Sequence, residues 1–412
     1  MIRGICIVIA MTFFGQGQAN GDPLPSLFWV KAKAANKYER TQLSNMGLSI
    51  EGVGDEAVTG FAIESEVEQI RKQGLLISVQ PMDESFLDFP SDDEEFHNYS
   101  ELVSEIKTLS DQNPSIFSMQ SIGKSHEGRD IWVIRIGMDD SADKPAALFM
   151  GGHHAREHLS VETPLNLAKY LVSEYRNGNT KVASWVQNRI VYIIPLVNPD
   201  GAEYDIESCS RYCMWRKNRS RDKGGSYGVD LNRNYGYLWG TVGSSPNPRS
   251  DTYRGPSAFS EPETKAVRDF IDARPNITTL LTFHSFSELI LYPWGHTYDD
   301  VANIKDRELF QTMAQTMAGW NNYTPQQSSD LYLTSGDTVD WAYGEHGIIG
   351  FTFELDPSSM WEGGFYPGQS YIDRVFQKNI KPLEYLIEYS DNPYRVLEPV
   401  HFAYGLSTPL ID

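Results

Sequence analysis

The 412-residue chain carries a formal net charge of -20 and is 40% hydrophobic, 12% aromatic and 22% charged. That length admits one large α/β domain with a smaller companion, and the composition is that of an ordinary globular protein. The acidic balance excludes nucleic acid and anionic membrane as partners, because such a surface repels both.

The first residues, MIRGICIVIAMTFFGQGQANG, have a positive start at Arg3, an apolar run over 5–14 and the small-residue site Gly17-Gln18-Ala19. This is the pattern of a secretory signal peptide over 1–19. Its apolar run is too short to span a bilayer, although a membrane anchor is the competing reading. No later segment suits stable membrane insertion, so a secreted or periplasmic protein is expected. Of three cysteines, Cys6 leaves with the leader, and Cys209 and Cys213 remain in ESCSRYCMW. They are a candidate local disulfide for an oxidising compartment, provided the segment is a loop.

Residues 20–95 read as a small α/β unit. LFWVKAKA, LSIEGV, AVTGFAI and LLISVQPM are strand candidates, with a helix in NKYERTQLSNMG ending on Gly47 and another in SEVEQIRKQG capped by Ser65. The order suits an open-faced α/β sandwich. It closes in the acidic linker FLDFPSDDEEF. Such a unit is an inhibitory or folding-assisting pro-region, with a substrate-binding module as the alternative.

From residue 96 the pattern changes to helices alternating with short apolar runs: IWVIRIG, AALFMGG, RIVYIIPLVN, ITTLLTFHS and GIIGFTFEL. Runs of this kind suit strands buried on both faces of a sheet covered by helices. SELVSEIKTLSDQN is helical. Thr163-Pro164 can begin a helix that stops near Asn177-Gly178, and DRVFQKNIKPLEYLIEY is a helix interrupted by Pro382. The basic cluster WRKNRSRDK reads as a solvated loop, and residues 393–412 as an extended tail.

Unusual polar residues fall just past several of these strands: His154 and Glu157 after AALFMGG, Asn198 and Asp200 after RIVYIIPLV, His284 ending ITTLLTF, and Glu354 ending GIIGFTF. Open α/β sheets collect ligands at the carboxyl ends of their strands. His-x-x-Glu at 154–157 sets an imidazole and a carboxylate one turn apart, and a hydrolytic zinc commonly takes two His and one Glu. His284 is then the best placed second histidine. His153 and His158 compete for that role, with a supporting or surface position as the alternative.

GKSHEGRDIWVIRIG, GGHHAREHL, NPDGAEY, MWRKNRS, GVDLNRNYGYLWG, YRGPSAFSEPET, FHSFSELILYPWGH, DLYLTSGDTVDWAY and GFTFEL, in this order over residues 96–390, resemble the zinc carboxypeptidases of the carboxypeptidase A and B type. HHAREHL and SGDT are most similar to secreted bacterial members. The resemblance implies an α/β/α sandwich with a central mixed, mostly parallel sheet over 96–392. It also implies one Zn2+ per chain, held by His154, Glu157 and His284, with Glu354 as general base and Arg216 facing the oxyanion. Asn232 and Arg233 match the pair that recognises a C-terminal carboxylate, Tyr332 the mobile tyrosine, and Arg156 an arginine that meets the substrate further from the scissile bond. Arg219, Arg221 and Lys223 read as solvated.

Members that prefer Lys and Arg carry an acid where this chain has Val339, whereas Asp337 lies where some bacterial members of mixed preference place one. An aspartate on the floor of the specificity pocket, with Val339 and Leu331 as an apolar wall, predicts acceptance of both basic and large apolar C-terminal residues. Phe286 stands where the family often has Tyr. The expected partners are peptide and protein C-termini and an activating protease. The enzymatic alternative is a peptidoglycan stem-peptide hydrolase of the same wider family. The non-enzymatic one is a peptide-binding protein that would have lost a ligand or the base.

Overall fold

Alternation in the first strand sends Val30 and Ala32 inward and the lysines outward, and it starts a small sheet that turns both of its faces to use. The computed structural model describes residues 27–81, 93–207, 212–221, 225 and 227–398. The predicted signal peptide, most of the acidic linker, Cys209, Lys223 and residues 399–412 lie outside the described residues. The N-terminal unit runs β1 (Leu27–Lys33), α1 (Lys37–Asn45), β2 (Ser49–Val53), β3 (Ala57–Ile63), α2 (Glu64–Lys72) and β4 (Leu76–Pro81). Its antiparallel sheet has the order β2-β3-β1-β4.

Asn36 caps α1 by accepting from the amides of Tyr38 and Glu39, and the chain leaves that helix through Gly47 at φ 102°. One sheet face packs Val30, Ala32 and Val58 against Leu43, Val67 and Ile70 of the two helices. The other face sets Trp29 and Phe61 against Met214, Phe286 and Phe365 of the larger unit. The expected cap at Ser65 is not found: α2 begins at Glu64, so the cap position falls two residues earlier, on Ile63, whose amide is held by the Glu66 carboxylate at 3.0 Å.

The larger unit continues with α3 (Tyr99–Gln112), β5 (Phe117–Lys124), β6 (Asp130–Ile136), β7 (Ala146–Met150), α4 (Leu159–Arg176), α5 (Thr180–Asn188), β8 (Ile190–Ile194) and α6 (Pro199–Glu207). After a long loop region follow α7 (Pro262–Asp272), β9 (Ile277–Ser285), β10 (Leu289–Tyr292), α8 (Ile304–Asn321), β11 (Thr324–Gln327), α9 (Thr338–His346), β12 (Ile349–Leu355) and α10 (Ser370–Glu388). Eight strands form one sheet in the order β11-β10-β12-β9-β7-β8-β6-β5. Its centre, β12-β9-β7-β8, is parallel, whereas β6 and β5 add antiparallel strands on one side and β10 pairs antiparallel with β12 on the other.

Successive side chains leave a strand on opposite faces, so each central strand feeds two cores. Ala147 and Phe149 join the core under α4, α8 and α10, while Ala146, Leu148 and Met150 join the one under α7 and α9. Burial on both faces is why these segments read as nearly unbroken apolar runs. The expected α/β/α sandwich with a mixed, mostly parallel centre is therefore what forms.

Three more local expectations need correction. Helix α4 starts at Leu159, before Thr163-Pro164, because the amides of Ser160, Val161 and Glu162 already bond to Glu157 and His158 carbonyls. Pro164 then sits inside the helix, and the hydroxyl of Thr163 bonds back to Leu159 O at 2.9 Å instead of capping. Pro382 does not interrupt α10, which stays one helix with that proline buried. The start of the tail, Pro393–Leu397, is a short helical turn that begins on the Asn392 cap.

Candidate active site

Strand β7 delivers its polar residues through a tight turn. Gly152 has φ 64°, and a Cβ on Gly151 would lie 1.8 Å from Ser160 O, so the chain reverses into α4 with His154 and Glu157 at the strand end. In the neighbouring pair β12 and β9, Glu354 stands opposite His284 in register. The sheet thus brings three separate segments to one cavity of about 310 Å³, lined among others by His154, Glu157, Arg216, Asn232, Arg233, His284, Tyr332, Asp337 and Glu354.

The donor atoms of His154, Glu157 and His284 lie within 4.8 Å of one another. Glu157 Oε1 is 2.7 Å from His154 Nδ1, its Oε2 is 3.0 Å from His284 Nδ1, and the two Nδ1 atoms are 3.1 Å apart. The other nitrogen of His154 faces the buried carboxylate Asp230 Oδ1 at 3.0 Å. A neutral imidazole that donates Nε2–H to Asp230 presents a bare Nδ1 lone pair to a carboxylate and a second imidazole. Acceptors facing acceptors in a dry site are unfavourable unless a cation lies among them, so the trio fits a metal ion. Burial by itself would raise the pKa of Glu157, but His154 and His284 beside it pull it down, which keeps it an anion.

Asp230 escaped the sequence reading, yet it organises this corner. Its carboxylate accepts from His154 Nε2, from Arg216 Nε at 3.0 Å and from the amide of Asn232 at 3.0 Å. Burial opposes its ionisation, but the charge of Arg216 and the neighbouring His154 overcome that and hold its pKa well below the usual carboxylate range. The available signal was its place in DLNRN, two residues before Asn232. Arg216, itself buried, is 3.9 Å from Glu157. Within the predicted solvated loop, Arg219 is also not solvated: it stacks on Tyr204 at 3.5 Å and on Tyr227 at 4.4 Å. Arg221 lies over the same Tyr227 ring.

Glu354 is half-buried, and its pKa is pushed well above the ordinary value by burial and by the charges of Glu157 and Glu51. A carboxyl whose pKa is raised in this way is suited to taking up a proton and handing it on. The side-chain oxygen of Asn232 accepts from both the amide and the hydroxyl of Thr338 at 2.9 Å, which assigns its nitrogen to the side toward His284. Arg233 is anchored to Asn232 O and Gly243 O.

Asp337 caps α9 by accepting from the amide of Asp340 at 2.9 Å, and it also lines the cavity. Burial and the neighbouring Asp340 raise its pKa to about 7. Leu331 lines the cavity as expected, but Val339 does not. It faces the sheet core beside Gly350, because the first turn of α9 points it away. His153 is buried beneath the site on Tyr235 Oη at 2.9 Å, and His158 is paired with Asp205 at 3.0 Å. Neither joins the trio. Glu162 is engaged by His97 at the start of the larger unit. Cys213 is disulfide-bonded.

The N-terminal unit contributes Glu51, which nothing in the sequence marked among so many acids. From β2 its Oε1 reaches Arg156 Nη2 at 2.9 Å and approaches Arg216 Nη1 at 4.0 Å. Arg156 is fully buried between the rings of Phe61 and Phe365 and also bonds Asp251. On the opposite rim, Arg40 donates to the carbonyls of Asp330 and Leu331, Lys37 pairs with Asp330 at 3.0 Å, and Thr41 Oγ1 accepts from the amide of Leu333 at 2.8 Å. The segment carrying Tyr332 is therefore gripped on both sides.

A family model described as zinc carboxypeptidase matches residues 102–381. A zinc carboxypeptidase of Saccharothrix mutabilis subsp. capreolus is 32% identical over 421 aligned residues, covering 96% of each chain. Carboxypeptidase B of Astacus astacus is 34% identical over 268 residues, which are 63% of this chain and 86% of its own. Among solved structures, a carboxypeptidase A from Helicoverpa armigera has a TM-score of 0.72 at 24% identity, covering 90% of this chain and 97% of the other. Thrombin activatable fibrinolysis inhibitor reaches 0.71 at 24% identity, with 89% and 99% covered. At these identities the structural likeness speaks for the fold. Asp230→Ala is expected to leave the fold intact and weaken divalent-metal retention about 10–100-fold, as loss of a ligand's hydrogen-bond partner does. Competition with a graded series of chelators measures it.

Proposed function

This chain belongs to the zinc carboxypeptidase family, and we propose that it is exported as a latent proenzyme and, once released, removes basic as well as large apolar residues from peptide C-termini. As a metallocarboxypeptidase it uses one zinc ion, for which we assign His154, Glu157 and His284 as the ligands. The observation that carries the reading is the meeting, in one cavity, of that metal-suited trio with a proton-exchanging carboxyl at Glu354 and with Asn232 and Arg233. An exopeptidase needs hydrolytic chemistry and a fixed carboxylate receptor side by side.

When bound, the zinc polarises the scissile carbonyl and makes water acidic enough to attack near neutral pH. Glu354 takes the proton of the attacking water and hands it to the leaving amine. Arg216, aligned by Asp230, directs its guanidinium at the developing oxyanion. Arg233 binds the terminal carboxylate through its fork and Asn232 through its amide nitrogen, and Tyr332 closes over the bound residue. Arg156 meets the substrate further upstream. Asp337 takes the tip of the departing side chain: ionised, it pairs with Lys or Arg, and protonated, it tolerates an apolar group.

Residues 20–95 act in this reading as a pro-region, with 1–19 as the leader, 96–392 as the catalytic domain and 393–412 as a tail. Latency follows from charge. Glu51 places a carboxylate on the two arginines that a substrate would use, while Arg40 and Lys37 hold the Tyr332 segment.

The deciding experiment follows release of single amino acids from peptides ending in Phe, Leu, Lys, Arg or Glu, and from one amidated peptide, before and after limited proteolysis near residue 95. Chelator-sensitive release of Phe and Lys that rises after proteolysis and spares the amide is the expected outcome. Equal cleavage of the amide would overturn the carboxylate-receptor assignment, and full activity of the uncut chain would overturn latency. Glu354→Gln is expected to retain zinc and lose about 10²–10⁴-fold in kcat; undiminished turnover would remove it as the base. Because the pKa of Asp337 is raised to about 7, its charge appears as pH climbs through that value. Lys release relative to Phe release should therefore increase across pH 7, and Asp337→Asn should flatten the ratio.

A further inference from the structure

Away from the catalytic cavity, two elements converge on a second set of metal-suited side chains. His126 comes from the turn between β5 and β6, Glu261 caps the N-terminus of α7, and Glu263 belongs to its first turn. One donor atom from each lies within 4.8 Å of the others. His126 Nε2 is 2.8 Å from Glu261 Oε2, and the His126 amide reaches Glu263 Oε1 at 3.2 Å. Asn218 Nδ2 donates to both carboxylates, at 2.8 Å and 3.0 Å.

The charges around this point do not balance. Glu261 and Glu263 are buried, and so is Asp200, whose carboxylate holds Ser125 Oγ and the Glu127 amide beside the same turn. Arg129 answers Asp200 at 2.8 Å. Among the described residues no Lys or Arg pairs with Glu261 or Glu263; burial opposes a charge on His126, but its hydrogen bond to Glu261 and the nearby acids raise its pKa, so its imidazolium answers one carboxylate and the other has no cation. Isolated anions in a low-dielectric interior are strongly disfavoured, and they either take up protons or hold a cation. The pKa of Glu263 is accordingly raised to about 7 by burial, with Glu261 adding to the effect. The imidazole in the set favours a borderline metal over calcium or magnesium, and its side chain is about one third exposed (34%), which leaves an entry path and room for water ligands.

We propose that His126, Glu261 and Glu263 form a second zinc site, separate from the catalytic one. Its place suggests its work. Asn218 lies two residues after Arg216 and also accepts from the amide of Val229 at 2.8 Å. A cation drawing the β5–β6 turn onto α7 therefore braces the loop that carries Arg216. No bond is made or broken by the ion; it replaces the protons that otherwise neutralise the two acids.

The test is the metal content of the full chain, stripped with chelator, refilled with zinc, passed through a desalting column and measured by atomic emission alongside the protein. Two zinc ions per chain are expected. His126→Ala and Glu263→Gln should each lower the ratio to one and weaken the second zinc by at least about tenfold in a chelator competition. His154→Ala should also lower it to one, by removing the other ion. Zinc should raise the Tm of His154→Ala, where only the second site remains, and not of the His126→Ala, His154→Ala double variant. A ratio of one in the unaltered chain with His154→Ala at zero would overturn the second site and leave the catalytic assignment standing. A ratio of two that His126→Ala and Glu263→Gln leave unchanged would overturn it as well. Glu263→Gln keeps the shape and the acceptor for Asn218, and retention of its catalytic zinc shows that it is folded.

Discussion

Asp230 is held between Arg216 and His154, and the functional cavity is arranged around that buried contact. A carboxylate with no exposure survives in the interior only when its lone pairs are engaged by donors. Here it has three, from His154, Arg216 and the Asn232 amide. The bond to His154 fixes one imidazole nitrogen and thereby aims the other at Glu157. The bond to Arg216 sets the angle of the guanidinium. The bond to Asn232 begins the turn that also supplies Arg233. One side chain therefore orients the metal-suited corner and the corner of Asn232 and Arg233 together.

The same corner is also where the small N-terminal unit meets the large one. The N-terminal sheet meets it through a few fixed charges. Glu51 reaches two of them with one carboxylate, and the rings of Phe61 and Phe365 enclose Arg156 so that the contact is screened from water. Ion pairs of this kind contribute most where water is excluded. The apolar face of Trp29 and Phe61 supplies the seal, and the contacts of Lys37, Arg40 and Thr41 immobilise the opposite rim.

Much of the fold was legible because burial on both sheet faces forces continuous apolar runs. The order of strands and helices followed from those runs and from glycines such as Gly47 and Gly178, whose positive φ ends a helix. The misreadings share a cause. Pro382 looks like a break and Pro164 like a helix start, yet tertiary packing holds each helix together across one lost bond. Arg219 looks solvated until Tyr204 and Tyr227 close on its faces. Val339 sits beside Asp337 in sequence, but the first turn of α9 sends it to the core.

The sequence by itself determined the local chemistry and the family: His-x-x-Glu on a tight glycine turn, the strand-end positions of His284 and Glu354, and the motifs shared with zinc carboxypeptidases. Side-chain type and spacing along one element are local properties, so they can be read without a structure. Only the tertiary structure decided which distant acids matter. Asp230, Glu51 and the buried pair Glu261 and Glu263 are each one carboxylate among 55 acidic residues. What separates them from the solvated majority is the loss of water around them, and desolvation is decided by how strands and helices far apart in the chain pack together.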